Sequence, residues 1–162
     1  MKAIVIIFLL VSSSVLLFGQ SAPDTINRTD SKGRKQGVWK KTHPQNTVYQ
    51  YVGQFKDDKP YGTFKYYYED GALKSIVKFS NSGMLARSVS FWENGRVMSK
   101  GNYINQKKDS TWIYYDQYGY LNLAEQYSIG KLDGWRVVYY QLGRGEKESP
   151  VLEQAYYEDG KM

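Results

Sequence analysis

The sequence has no cysteine, one histidine and 4 prolines among its 162 residues. The absence of cysteine excludes disulfides, cysteine nucleophiles, thiolate metal sites and a lipid-modified N-terminal cysteine. The single histidine, His43, excludes metal sites built from several histidines, and we expect it to be a surface-loop residue. We therefore predict no metal and no cofactor.

Neither the basic nor the acidic residues form long runs in the sequence. The chain has 22 Lys+Arg against 16 Asp+Glu, a net charge of +6, and its basic residues form no stripe of the kind that binds nucleic acid. The acidic residues, such as Asp57-Asp58 and Glu69-Asp70, stand beside glycine or proline, where carboxylates serve turn geometry. The sequence thus predicts no catalytic carboxylate pair, no enzyme activity and no nucleic-acid partner.

Residues 1–20 have the layout of a secretory signal peptide. One lysine precedes a short apolar run, and small residues follow it. We expect cleavage near Gln20 to Ala22 and export to the periplasm or the cell exterior. An uncleaved membrane anchor is the less favoured alternative, because the run is shorter than the roughly 18 residues that a spanning helix needs. Removal of this segment takes away Lys2 and lowers the net charge from +6 to +5.

Glycines and aromatic residues recur with a period of 24 residues. The glycines are Gly71, Gly95, Gly119 and Gly143. An aromatic residue stands four positions before each of them: Tyr67, Phe91, Tyr115 and Tyr139. A third ladder holds small residues that are expected to begin the next strand: Gly62, Ala86, Ser110 and Gly134. Two positions later come Phe64 and Trp112 in two units, but Ser88 and Arg136 in the others. A repeat of this length predicts stacked supersecondary units.

Each unit is predicted to be two strands. Asp70-Gly71 and Asn94-Gly95 favour two-residue hairpin turns, in which both central residues have positive φ. The second turn of the unit, such as Asp57 to Gly62, is expected to be longer. The intervening pieces are aromatic and β-branched, as strands prefer. The prediction is an all-β fold, an elongated open antiparallel meander of roughly ten strands. It occupies residues 37–162 and follows a polar leader, residues 21–36.

The repeat also resembles a known family. The strings Gly62 to Gly71, Gly95 to Tyr103 and Tyr127 to Gly134 resemble the bacterial variant of the MORN repeat, over about three quarters of the chain. This resemblance implies an open antiparallel sheet of stacked hairpins. It also implies interaction with proteins or membrane surfaces, usually without chemistry. One family built on the repeat is labelled a YwqK-type antitoxin, which implies toxin neutralisation.

The expected hairpin register divides the side chains between two faces. With Asp70-Gly71 central, the opposed pairs are Tyr68 and Leu73, Tyr66 and Ser75, and Phe64 and Val77. This face is predicted to be the apolar, buried side of the sheet. The other face carries the candidate interaction surface: Tyr67, Phe91, Tyr115, Tyr139, Lys65, Lys74 and Lys100. Two strands per unit space the four rings roughly 9 to 10 Å apart.

The ring row has two interpretations. The favoured one is that the rings hold neighbouring hairpins together. The other is that rings and lysines bind sugars, an extended peptide or an anionic partner. The leading function hypothesis is an exported, non-catalytic protein-interaction module that binds an unknown protein or itself. The alternatives are a cell-envelope binder of glycans or lipid headgroups, and an antitoxin-like protein.

Overall fold

In the part of the chain that the structure describes, eleven antiparallel strands form one open sheet whose strand order is the chain order. The computed structural model describes residues 25–141 and 150–162, so the predicted signal peptide and its cleavage site lie outside the described residues. The strands are β1 (Arg28–Thr29), β2 (Lys35–Thr42), β3 (Tyr49–Lys56), β4 (Lys59–Tyr67), β5 (Leu73–Ser80), β6 (Leu85–Phe91), β7 (Val97–Ile104), β8 (Lys107–Tyr115), β9 (Leu121–Ser128), β10 (Lys131–Tyr139) and β11 (Val151–Tyr157). The predicted all-β meander is confirmed.

Regular helix is almost absent from the part of the chain that the structure describes. The only helical segment there is one 3₁₀ turn, Asn81–Gly83, between β5 and β6. No helix among these residues is long and apolar enough to cross a membrane. The sheet also begins earlier than residue 37, where the repeats were expected to start, because β1 and the first residues of β2 lie within the polar leader.

Most of the turns are the reverse of the prediction, but the turn between β5 and β6 is longer than two residues, as predicted. The two-residue turns are Asp57-Asp58, Asn105-Gln106 and Ile129-Gly130, and both residues of each have positive φ. This is the geometry of the type I′ hairpin turn, whose twist matches that of the strands. These turns line one end of the strands, which we call the short-turn end.

At the opposite end, the long-turn end, the Asp-Gly and Asn-Gly sequences form longer turns. The amide of Gly71 donates to the carbonyl oxygen of Tyr68 at 3.0 Å, and the amide of Tyr68 donates to that of Ala72 at 2.9 Å. Only Gly71 of the Asp70-Gly71 pair has positive φ. This is a type I turn followed by a left-handed glycine bulge. Consequently Leu73 lies opposite Tyr67, so the predicted pairing with Tyr68 is wrong, whereas the two other predicted pairs are confirmed.

Small residues inside the strands bend the sheet. Gly62, Ser110 and Gly134 all have positive φ, and each lies where the pairing with the preceding strand shifts register. They were predicted to begin strands, but each lies three residues after its strand begins. Such bulges increase the local twist of a sheet. Ala86, in the fourth of these positions, has no bulge, and β5 pairs with β6 without interruption.

The core is one layer of rings that cover each other on a single face. Phe64 is 2% exposed and packs against Tyr51, Phe55, Tyr66 and Phe79, with ring centroids 5.0 to 6.2 Å apart. A second cluster surrounds Trp112, which is 3% exposed. Its contacts are Tyr103 at 4.8 Å and Tyr114 at 6.1 Å. We call this side of the sheet the aromatic face.

Hydrogen bonds join three successive repeats at the long-turn end, between residues 68 and 117. The Tyr68 hydroxyl donates to the carbonyl oxygen of Phe91 at 2.7 Å, and the Trp92 indole donates to that of Tyr115 at 3.2 Å. The Asn94 amide donates to the carbonyl oxygen of Gln117 at 2.9 Å. Because both partners recur at the repeat interval, these bonds fix the stacking of neighbouring hairpins.

Candidate functional site

The four rings of the predicted row occupy equivalent positions. Tyr67, Phe91, Tyr115 and Tyr139 are the last residues of β4, β6, β8 and β10, and all are half-buried. Each lies opposite an aliphatic residue at the register shift beside the long turn. None of the close ring pairs involves two members of the row. The rings are aligned in sequence register, but they do not form a continuous stack.

The structure divides the predicted interaction surface between two concavities. Lys100 lies over the Tyr115 ring, 5.4 Å from its centroid, and both line a shallow depression with Arg96. Lys74 instead lies over Tyr68 at 5.3 Å and, with Tyr67, borders a groove on the aromatic face. Lys65 is exposed in a cross-strand column with Ile76, Val89 and Lys100. Phe91 and Tyr139 line neither concavity.

Two large rings of the aromatic face lie flat across glycines of the preceding strand. A Cβ built on Gly53 would be 2.2 Å from the Phe64 ring, and one built on Gly101 would be 2.3 Å from the Trp112 ring. The Trp112 indole also donates to the carbonyl oxygen of Asn102 at 3.0 Å. These distances are far below van der Waals contact, so only glycine allows the ring to occupy this place. The glycine and its ring form one packing unit, the glycine–ring pair.

The glycine–ring pair is replaced in the repeat between them. The equivalent residues are Val77 on β5 and Ser88 on β6, which lie directly opposite each other. A repeat later, the equivalent pair is Glu125 and Arg136. In the sequence, Ser88 and Arg136 stand where other repeats have an aromatic residue. Their partners on the preceding strands show that the glycine is replaced together with the ring. A ring is therefore missing from the aromatic face midway between Phe64 and Trp112.

The missing ring opens a groove of about 650 Å³ on the aromatic face. Its floor is made of small side chains on β6, Ala86, Ser88 and Ser90. The walls are aromatic: Tyr51, Tyr66 and Phe79 on one side and Tyr103 on the other. Four strand spacings separate Phe64 from Trp112, which is about 19 Å. The groove is the best-defined concavity that sequence reasoning missed.

The ends of the groove carry polar groups. Lys74 and His43 lie at the long-turn end, where the Nε2 atom of His43 is 3.1 Å from the carbonyl oxygen of Tyr67. Gln106 lies at the short-turn end. The residues that line the groove include Lys74 but no carboxylate. His43 lies in a loop, as predicted, but it is half-buried beside the groove and not fully on the surface.

A charged cluster closes the aromatic face beyond Trp112. The Lys108 ammonium lies 4.9 to 5.1 Å from the centroids of Trp112, Tyr114 and Tyr127, and it donates a hydrogen bond to the Tyr114 hydroxyl. The Tyr127 hydroxyl donates to the buried Glu125 carboxylate at 2.8 Å. These rings attract the ammonium by cation–π interaction, so this cage is already occupied by a side chain of the protein itself.

The two tyrosines of this cluster predict weaker folding in alkali. Burial, with a further contribution from Glu125, raises the pKa of Tyr114 and raises that of Tyr127 from 10.0 to about 12. The unfolded chain therefore loses these protons first, and stability present below pH 10 falls as the pH rises towards 12. Chemical denaturation at increasing pH measures the fall, and Tyr127→Phe should make it shallower. An identical profile for the variant would contradict this assignment.

The described residues bring no potential metal site together. No group of three or more His, Cys, Asp or Glu side chains is close enough to hold an ion within residues 25–141 and 150–162. Asp57, Asp58 and Asp159 are turn residues with positive φ, and Asp70 holds its turn by accepting from the amide of Ala72 at 2.8 Å. The carboxylates of Asp57 and Asp159 also form ion pairs, with Arg34 at 2.9 Å and with Lys131 at 2.6 Å.

The aromatic groove and the Lys100–Tyr115 depression are thus the two candidate binding surfaces, and they lie on opposite faces of the sheet. Comparison with known proteins adds no relative: no family model, no curated protein and no solved structure matches this chain.

Proposed function

We propose that the protein is an exported, non-catalytic binding module that holds an extended segment of a partner protein in the aromatic groove. The observation that carries this proposal is the replacement of one glycine–ring pair by Val77 and Ser88. The rings on either side are the most buried apolar residues of the described chain, together with Ala86 on the groove floor. The neighbouring repeats keep their rings, Phe64 and Trp112, and the repeat between them lacks one, so a groove of defined shape lies between the two rings.

The shape and chemistry of the groove suit an extended peptide. Its floor follows β6, whose seven residues span about 23 Å. Aromatic walls favour contact with apolar side chains and peptide planes, because rings bury much area at little entropic cost. Serine hydroxyls and the amides of Gln50 and Gln106 can donate to or accept from a peptide backbone.

The charge of the lining residues favours one orientation of the partner. Lys74 lies at the long-turn end, and the lining contains no carboxylate to neutralise it. We expect an acidic side chain or a carboxyl terminus of the partner to lie near Lys74. Such complementarity gives orientation and a faster encounter more than it gives affinity. Antitoxin-like action would be a particular case of this binding, with a toxin as the partner.

The second candidate function is binding of an anionic glycan or lipid headgroup at the Lys100–Tyr115 depression. The observation that favours it is the convergence of Lys100, Arg96 and the Tyr115 ring around about 770 Å³ of open space. Arg96, however, already donates to the carbonyl oxygens of Gln117 and Tyr118 at 3.3 and 2.7 Å. We therefore favour the aromatic groove.

Filling the groove tests the proposed function. The double variant Val77→Gly/Ser88→Trp installs the glycine–ring pair of the neighbouring repeats and should fold, because both neighbours accommodate this pair. We expect it to weaken partner binding by more than about tenfold, since an indole would occupy the floor. A photo-crosslinking residue at Met84, an exposed position that lines the groove, identifies the partner in the cells that produce the protein.

The matched control carries the crosslinker at Lys65, outside the groove. The proposed function requires a crosslinked protein from Met84 that is absent from Lys65 and lost in the groove-filled variant. Retention of that product in the folded double variant would contradict the groove. A product from Lys65 alone would move binding to the other face. Binding of anionic vesicles or glycans that depends on Lys100 would favour the second candidate function.

A further inference from the structure

Aromatic residues stand on both sides of the groove floor at one position of β6. Phe79 on β5 and Tyr103 on β7 lie directly opposite Ala86, and all three line the groove. Two strand spacings, about 10 Å, separate the backbones that carry the two rings. Ala86 is 8% exposed and forms the bottom. We call the space between Phe79 and Tyr103 above Ala86 the aromatic slot.

Buried neighbours fix both rings of the aromatic slot. The Phe79 ring packs edge-on against Phe64, with centroids 5.0 Å apart and ring planes at 78°. Tyr103 packs in the same way against Trp112, at 4.8 Å and 70°. Because Phe64 and Trp112 lie flat across glycines, the Phe79 and Tyr103 rings rise steeply from the sheet. A ligand therefore does not have to order the walls of the slot when it binds.

The polar groups of the groove lining are all able to donate hydrogen bonds. They are serine and tyrosine hydroxyls, the amides of Gln50 and Gln106, the His43 ring and the Lys74 ammonium, and none is a carboxylate. Ser88, on the floor, is 4% exposed, and its hydroxyl has no hydrogen-bond partner among the described residues. A buried hydroxyl in this situation favours a ligand that brings an acceptor to it.

The backbone of the groove floor has no free groups to offer a ligand. Residues 85–90 of β6 pair with β5 on one side and with β7 on the other. A ligand in the β conformation would therefore lack the backbone partners that a sheet edge provides. The ligand that suits this floor has few backbone N–H groups, and its carbonyl oxygens accept hydrogen bonds from side chains.

We propose that the segment held in the aromatic groove is a proline-rich stretch in the polyproline II conformation, with one pyrrolidine ring in the aromatic slot. This inference rests on the proposed function and names the chemistry of the partner. Proline has no backbone N–H, and polyproline II has no internal hydrogen bonds, so its carbonyl oxygens are free to accept from Ser88. Aromatic-lined grooves bind such segments at little entropic cost, because the conformation is already ordered. At about 3.1 Å per residue, about seven residues match the length of β6.

Two fluorescent peptides of equal length test the requirement for proline. One is a run of prolines with a terminal glutamate that can reach Lys74, and the other has alternating glycine and serine in place of the prolines. Fluorescence anisotropy with the purified protein should show that the proline peptide binds at least tenfold more tightly. Equal affinities would overturn the proposal, and so would a proline peptide that does not bind at about 1 mM protein.

Two substitutions test whether the peptide lies in the groove. Ala86→Leu fills the aromatic slot and should weaken binding of the proline peptide at least tenfold. Ser88→Ala removes the floor donor and should weaken it about three- to tenfold. Val89→Leu, on the same strand but the other face, is the control and should leave binding unchanged.

Urea denaturation checks that each variant is folded. Ser88→Ala removes a single oxygen atom, so it keeps the test decisive even if Ala86→Leu does not fold. Binding of the proline peptide that is unchanged in the folded variants would overturn the proposal.

Photo-crosslinking from Met84 separates this inference from the proposed function. The expected product is a partner segment rich in proline, and the proline peptide should compete with it. A crosslinked segment without proline would overturn the polyproline II assignment and leave the protein-binding function standing. A product that persists in the folded Val77→Gly/Ser88→Trp variant would contradict the groove, and both proposals would then fail.

Discussion

Replacing Gly101 by alanine is expected to lower the free energy of unfolding by about 3 kcal/mol, although only a methyl group is added. The new Cβ would lie 2.3 Å from the Trp112 ring, which is 3% exposed and held by its hydrogen bond to Asn102. The ring has nowhere to move without breaking that bond or the contact with Tyr103. Urea denaturation of the variant beside the wild-type protein measures the loss.

A glycine with free space around it is the control. Gly95 has φ +81° and nothing within 4 Å of a built Cβ, so Gly95→Ala should cost about 1 kcal/mol through backbone strain alone. Rescue gives a sharper test. Gly101→Val/Trp112→Ser recreates the Val77–Ser88 pair, and its two substitutions should be strongly non-additive. Equal losses for Gly95→Ala and Gly101→Ala would show that the ring does not require the glycine.

Phe64→Ala is expected to cost about 3 to 5 kcal/mol, the usual range for a buried ring in a well-packed core. Phe64 contacts four other rings and lies across Gly53, so its removal leaves a cavity with no second layer to collapse into it. Denaturation measures the total loss. Hydrogen exchange should show that the loss of protection is greatest in β3 to β5 and smaller in β9 to β11, because repeats interact mainly with their neighbours.

The comparison for Phe64→Ala is Phe91→Ala. Phe91 belongs to the periodic row but is only half-buried at the end of β6, and its carbonyl oxygen, not its ring, accepts the bond from Tyr68. We expect a clearly smaller loss of stability. If the two variants lost equal stability, the row would contribute to the core as much as the aromatic face does.

The 24-residue period predicted the meander because hairpins that stack on one another must repeat their turns at a fixed interval. The turn types were not predicted correctly, for a local reason. A left-handed glycine is needed both in the type I′ turn and in the bulged turn formed at Gly71, so Asp-Gly does not distinguish them. Two of the three type I′ turns, Asp57-Asp58 and Asn105-Gln106, contain no glycine and therefore give a weaker signal.

The groove could not be predicted from the periodic residues because it lies where the period fails. Ser88 interrupts the aromatic positions of the repeat, but it indicates a groove only together with Val77, which lies opposite it on the preceding strand. The Gly53–Phe64 and Gly101–Trp112 pairs have equal spacing, and this coincidence is the signal in the sequence that would have located the groove. The ring row, by contrast, could be found in the sequence because its residues recur every 24 positions at the ends of strands, where hairpin geometry is most constrained.

The order of the strands has a kinetic consequence. Every described strand pairs only with strands adjacent to it in the chain, so no contact between these strands requires the closure of a long loop. Sheets with this local connectivity fold faster than sheets that pair distant segments. Each hairpin can add to the growing edge as it is synthesised. The last strand to arrive, β11, pairs with β10 alone among the described strands.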